Sequence, residues 1–204
     1  MILAFDTHGP HLSVALWQDG SIIADHFDLM ARGQAEHLFH AIDTALSSAG
    51  ADYADLTALA VGIGPGNFTG LRMSVAAARG LSLSLDLPCR GVSSFDALRA
   101  LSPEARAVVA GPKGHVYIEQ EGQAQLMTEA DALTHLDDYI IAAPPEVLPT
   151  LTQRAARPAH PAIGIAHVAG QDMGVTLTAA APSPLYVKAP DAAPPKITAP
   201  TIIE

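Results

Sequence analysis

The first hundred residues alternate between two hydrophobic rhythms. "ILAFDT" (2–7) is an apolar run ending in Asp-Thr. In "HLSVALWQDG" (11–20), Leu12, Val14 and Leu16 alternate with Ser13 and Ala15, the period of a strand. Gln18-Asp19-Gly20 is a hairpin turn signal, so "SIIADHFDLM" (21–30) reads as the third strand of an antiparallel meander. Over residues 33–49 the rhythm turns helical. Leu38, Ile42, Ala45, Leu46 and Ala49 share one face, and Gly50 ends it. "LTALAVGIG" (56–64) is unbroken and apolar, as expected of a strand buried on both faces. A helix over 70–85 follows, then a short strand in "PCRGVS" (88–93). "SFDALRAL" (94–101) begins another helix, with Ser94 as its expected N-cap.

Three antiparallel strands, then helix, strand, helix, strand, helix, is the order of a ribonuclease-H-like or actin-like half-domain. After Pro103 a second, trimmed copy of the plan is expected. "RAVVAG" (106–111) and "HVYIEQEGQAQLM" (115–127) read as strands, with a turn at Glu121-Gly122. "TEADALTHL" (128–136) is a short helix, "YIIAA" (139–143) a buried strand and "PAIGIAHVAGQ" (161–171) a last helix. Thirteen of the 16 prolines fall after residue 102, so regular structure thins there. The expected division is 1–102 for an N-terminal half, 103–189 for a smaller C-terminal half, and 190–204 for an extended or flexible tail.

Composition narrows the partners. A formal net charge of −10 disfavours gripping a nucleic-acid backbone alone, which needs clustered Lys and Arg. The single cysteine, Cys89, excludes an internal disulfide and fits a reducing cytosol. It reads as buried rather than nucleophilic. "MILAFDTHG" has no basic start, so no signal peptide is expected, nor is a membrane span.

"GIGPGNFTGLR" (62–72) is the densest local signal. Gly64, Gly66 and Gly70 permit positive φ or close backbone approach, Pro65 stiffens the turn, and Asn67 or Thr69 can cap the helix behind it. The loop reads as a structural turn or as an anion or partner contact. It is neither a Walker A loop nor GxGxxG. The helix it launches carries Arg72 and Arg79 among Ser74, Ala76, Ala77, Ala78, Gly80, Ser82 and Ser84, without the charged skin of a solvated helix. Burial by the first helix and docking of another subunit both remain open. Glu36, His37 and His40 fall on one helix flank at spacings that can hold a metal, and His8 and His11 flank the first turn. Both groups read as ordinary histidines, with no metal expected. No Gly-x-Ser-x-Gly is present.

"ILAFDT", "SVAL", "RGQAEHL" and above all "GIGPGNFTGLRMSVAAARGLSL" resemble the TsaB family, also called YeaZ, and "PLYVKAP" (184–190) resembles the family's late Pro-x-Tyr segment. The resemblance is strong over 1–100 and thin over 103–180. It implies two actin-like halves and no catalysis by this chain. It implies pairing with a catalytic paralogue, TsaD, through the first two helices, with an ATPase, TsaE, joining them. The complex moves a threonylcarbamoyl group to N6 of the adenosine beside the anticodon of ANN-decoding tRNAs. Carried over, Glu36, Leu38, Ile42 and Leu46 of the first helix would meet the partner. So would Gly66, Phe68, Thr69, Gly70 and Arg72, together with Met73, Ala76, Ala77, Ala78 and Gly80. Glu in place of Ala77 or Ala78 would then weaken assembly in a folded chain. A homodimer in isolation is compatible with such a surface, and the sequence leaves homodimer and monomer both open.

Asp6, Thr7, Gly64 and Gly66 stand where actin-like ATPases hold phosphate, so weak ATP or ADP binding with magnesium is set beside the expectation of no cofactor. "GIAHVAG" (164–170) is the candidate adenosine segment. Gln34 and Ala110 depart from the family pattern, which usually has His and Asp there. Two other classes compete: a small actin-like ATPase or sugar kinase, and a peptidase.

Overall fold

The computed structural model describes residues 1–104, 106–136, 139–141, 160–171 and 181–187. The expected tail at 190–204 lies outside the described residues. β1 (Ile2–Asp6), β2 (His11–Gln18) and β3 (Ser21–Leu29) form the antiparallel meander. Asp19 and Gly20 close its second hairpin with φ of 50° and 91°, the backbone a two-residue turn needs to follow the strands' twist. β4 (Ala58–Gly62) runs parallel to β1, and β5 (Cys89–Val92) parallel to β4, giving the order β3-β2-β1-β4-β5. This is the ribonuclease-H-like sheet.

Alternation within β1 separates two cores. Leu3 and Phe5 face α1 (Gln34–Ser48) and α2 (Phe68–Leu85), joining Leu38, Ile42 and Val75. Ile2 and Ala4 face the other way, toward α3 (Ser94–Leu101) and α5 (Pro161–Gln171). That second layer is alanine-rich, with Ala15, Ala58, Ala60, Ala97, Ala162, Ala166 and Ala169 buried in it. Small side chains let α5 lie close to the sheet, and a Cβ on Gly164 would overlap the Ala97 carbonyl. Helices on both faces explain the unbroken apolar runs of β1 and β4.

The second sheet has the order β8-β7-β6-β9, from β6 (Arg106–Ala110), β7 (His115–Gln120), β8 (Gln123–Thr128) and β9 (Tyr139–Ile141). β6 pairs antiparallel with β7 and parallel with β9, which repeats the first four strands of the first sheet. α4 (Glu129–Leu133) packs on β7 and β8. α5 follows this sheet in the chain yet packs on the first one, so residues on both sides of the 102/103 division build the first core. That placement also corrects the reading of "GIAHVAG" as an adenosine segment. It is the middle of α5, held behind the sheet.

Cys89 is buried at the start of β5, and burial pushes its thiol up to about 12 against a smaller opposing pull from Arg79. The native chain is therefore expected to resist an aromatic disulfide reagent at pH 8 and to react fully once unfolded in urea. Prompt reaction of the native thiol would contradict the burial.

Candidate functional site

The glycine loop is a packing joint. Its Gly64–Pro65 peptide is cis, and Gly64 has φ of 90°. A Cβ on Gly66 would overlap the His8 ring, and one on Gly70 would overlap the Thr7 carbonyl. The loop can therefore lie flat on the turn between β1 and β2. Asn67 caps α2: its Oδ1 accepts from the N–H groups of Thr69 and Gly70 at 3.0 and 3.1 Å. The Asn67 N–H donates to the His8 carbonyl, and the Leu71 N–H to the Asn67 carbonyl. Four donors at this helix start thus already have partners within the chain, which removes most of the anion site a bare N-terminus would offer. Gly70→Ala is expected to cost about 1–3 kcal/mol through overpacking. Gly80→Ala, where a Cβ meets nothing within 4 Å, is expected to add about 0.5–1 kcal/mol of helix stability. Urea midpoints of the two variants check the pair.

Beneath the loop lies a buried polar chain. The carboxylate of Asp6, fully buried, meets His8 Nδ1 with one oxygen and His11 Nε2 with the other, the latter at 2.7 Å. Burial alone would push this carboxyl up. The charge of His8 and the hydrogen bonds from both imidazoles outweigh it and hold Asp6 well below the usual carboxylate range. His8 Nε2 stands 3.0 Å from Ser94 Oγ, which also donates to the Pro65 carbonyl at 3.1 Å. Ser94 has this role because Ser93, not Ser94 as the sequence suggested, caps α3, its Oγ accepting from the Asp96 N–H. The order carboxylate, imidazole, hydroxyl matches a hydrolase triad. Here, however, the hydroxyl is only 5% exposed and sits under the loop. The chain ties the ends of β1 and β5 to the glycine loop.

In front of the loop, a cleft of about 1110 Å³ opens between the halves. Thr7 and Gly66 line it; Asp6 and Gly64 do not. The Thr7 hydroxyl donates to the Gly70 carbonyl. Arg32, Glu36 and Arg72 also line the cleft, as does Ala110 from β6. Gln34, at the family's His position, donates from Nε2 to the Met30 carbonyl at 2.9 Å, a local contact at the start of α1. His37 and His40 are exposed, and no cluster of three or more metal-binding side chains occurs among the described residues.

Residues 181–187 cross the front of the first half. The Leu185 N–H donates to the Ile63 carbonyl at 2.7 Å, and Arg79 Nε to the Pro182 carbonyl at 2.8 Å. Arg72 stacks on Phe68 at 3.9 Å, and its Nε donates to the Tyr186 hydroxyl at 3.0 Å. Both sequence motifs are thus halves of one contact.

The two helices divide their residues sharply. On α2, Gly70, Leu71, Ser74, Val75 and Ala78 face the sheet. On the opposite side Thr69, Arg72, Ala76, Gly80 and Leu83 follow one another at steps of three, four, four and three residues, all exposed. Five of the residues assigned to a partner are therefore interior: Leu38, Ile42, Leu46, Gly70 and Ala78. The sheet takes the main apolar row of each helix, so those residues are filling and not surface. Glu36, Thr69, Arg72, Ala76 and Gly80 are exposed, while Gly66, Phe68, Met73 and Ala77 are half-buried. Sequence reasoning missed Phe39 and Leu83, which are 49% and 87% exposed. Leu83 lies off the row of Leu71, Val75 and Ala78, and that mismatch was the available signal.

A family model described as TsaD, tRNA N6-adenosine threonylcarbamoyltransferase, matches residues 28–148, more than half of the chain. The tRNA threonylcarbamoyladenosine biosynthesis protein TsaB of Escherichia coli is 43% identical over 94 residues, 46% of this chain and 40% of the relative. The protein of the same name from Bacillus subtilis is 33% identical over 99 residues, 48% of this chain and 43% of the relative. The matched stretch spans less than half the length of these curated relatives. The solved structure of YeaZ from Pseudomonas aeruginosa is similar with a TM-score of 0.66 and 24% identity, covering 91% of this chain and 98% of that one. A protein described as similar to peptidase YEAZ, also from Pseudomonas aeruginosa, gives the same TM-score at 21% identity. The family model, matching more than half of the chain, shows that the chain belongs to the TsaD family, and the named relatives it resembles are TsaB proteins.

Proposed function

We propose that this chain is a non-catalytic subunit of the machinery that makes threonylcarbamoyladenosine in tRNA. It docks the catalytic paralogue TsaD on the outward side of α1 and α2, with the ATPase TsaE joining the assembly. The assembly transfers the threonylcarbamoyl group to N6 of the adenosine beside the anticodon in ANN-decoding tRNAs, in the cytoplasm. The observation that carries this reading is the outward row of α2. From Ala76 through Gly80 to Leu83, two turns of exposed helix carry a single charge, Arg79, which is tied to the Pro182 carbonyl, and the half-exposed ring of Phe39 on α1 adds apolar surface. Exposed apolar ground of this kind favours an interface. In isolation, a second copy can cover the same row.

Size-exclusion chromatography with purified TsaD tests the docking. Co-elution is expected, and tRNA modification in the reconstituted reaction is expected to need both chains. Separate elution, or modification by this chain alone, would overturn the reading.

The cleft supports a second reading, weak binding of ATP or ADP with magnesium between the halves. Its volume and the side chains of Arg32 and Arg72 favour it. The engagement of both Asp6 oxygens by histidines argues against a metal held there. Calorimetry with magnesium–ATP is expected to give no more than weak binding, without turnover. Tight binding that is lost in Asp6→Ala would favour an ATPase instead.

A further inference from the structure

The exposed row of α2 holds one charge, Arg72, and its surroundings fix its geometry. The guanidinium lies over the Phe68 ring with 3.9 Å to the centroid, and the Phe68 and Tyr186 rings are 5.2 Å apart. Tyr186 accepts from Nε. Among the described residues, neither terminal nitrogen of Arg72 has a hydrogen-bond acceptor. A long side chain that would otherwise sample many rotamers is therefore held by two aromatic rings, with one edge of its planar fork unused. Such a fork matches a carboxylate in two parallel hydrogen bonds. Holding it in advance removes part of the ordering cost of association. The chain around it is acidic overall, with 21 Asp and Glu against 11 Lys and Arg, so an anion does not dock on it by general attraction and needs a specific receiver.

We propose that Arg72 receives an Asp or Glu side chain of the partner that docks on α2, and that Tyr186, from the far end of the described chain, is its positioning residue. This rests on the docking reading above. Residues 181–187 are then part of the interface through Arg72. The link spans 114 positions of sequence, which makes assembly sensitive to how the late segment is seated.

The test is calorimetry of the full chain with purified TsaD, using wild type, Arg72→Ala, Tyr186→Phe, the double variant, and Ala76→Glu. Tyr186→Phe keeps the ring and loses only the acceptor of the Nε bond. It is expected to weaken binding about fivefold, with no change in thermal midpoint, a loss of the size of one ordinary hydrogen bond. Arg72→Ala is expected to weaken binding more strongly and to flatten the dependence of affinity on salt. In the Arg72→Ala background, Tyr186→Phe is expected to have no further effect, because its action runs through the guanidinium. Wild-type affinity and salt dependence for Arg72→Ala or for Tyr186→Phe would overturn the proposal, as would equal losses from Tyr186→Phe in both backgrounds. If those results come with loss of binding in Ala76→Glu, the docking reading stands without this inference. If Ala76→Glu also binds normally, the docking reading itself fails.

Discussion

Ala76→Glu is expected to leave the fold intact and to lower affinity for TsaD by at least about a hundredfold, because its carboxylate either is buried against the partner or takes the Arg72 guanidinium one turn before it. Ala76 is exposed on the row opposite the buried face of α2. In the isolated chain, glutamate there reaches water and costs only a few tenths of a kcal/mol of helix propensity. The thermal midpoint of the variant should match wild type within a degree or two. Ala78→Glu is the control. Its Cβ is fully buried against the first sheet, within the cluster of Leu3, Leu59 and Val75. A carboxylate cannot be placed there without unfolding the region. The two neighbours, chemically identical in the sequence, should thus separate cleanly into an assembly variant and a folding variant. Calorimetry with TsaD and a thermal melt of each variant decide it.

Asp6→Asn is expected to destabilise the chain by about 3 kcal/mol, the low end of what breaking a buried ion pair costs. Both oxygens of Asp6 serve imidazoles that are themselves buried. The amide that replaces the carboxylate has one acceptor and a donor that opposes the imidazole N–H. The pH dependence has a definite sign. The folded carboxyl lies below its ordinary range. Its contribution is therefore fully present above the unfolded value near pH 4 and is lost as pH falls below it. Urea unfolding should show the full gap between variant and wild type at pH 7, narrowing progressively below about pH 4. A constant gap from pH 7 down to pH 2 would show that Asp6 acts through packing alone.

Much of the fold was legible because the signals are local. Leu12, Val14 and Leu16 set the strand period; Asp19-Gly20 and Glu121-Gly122 mark both hairpins; Asn67 marks the start of α2. The faces were harder. Ala76, Ala77 and Ala78 differ by rotation about the helix and by nothing else, and each is a plausible surface or core residue. Only the position of the sheet makes the first exposed and the last buried. Adjacent serines at 93 and 94 posed a similar ambiguity. Either hydroxyl can cap α3, and the choice follows from Ser94 being drawn inward by His8 and Pro65. The long-range contacts were out of reach of any local rule. The network of Asp6, His8 and Ser94 closes across 86 positions between His8 and Ser94. Arg72 and Tyr186 were both noticed as motif residues, yet no property of either segment says that they meet.

Hydroxyl-radical footprinting of this chain with and without TsaD tests the docking face most directly, since Phe39, Met73 and Leu83 are reactive side chains on the two helices proposed to meet the partner. All three should lose reactivity in the complex, while Met127 on β8 of the second sheet should not. A complex in which Leu83 and Met73 oxidise as fast as in the isolated chain, with Met127 protected instead, would contradict it.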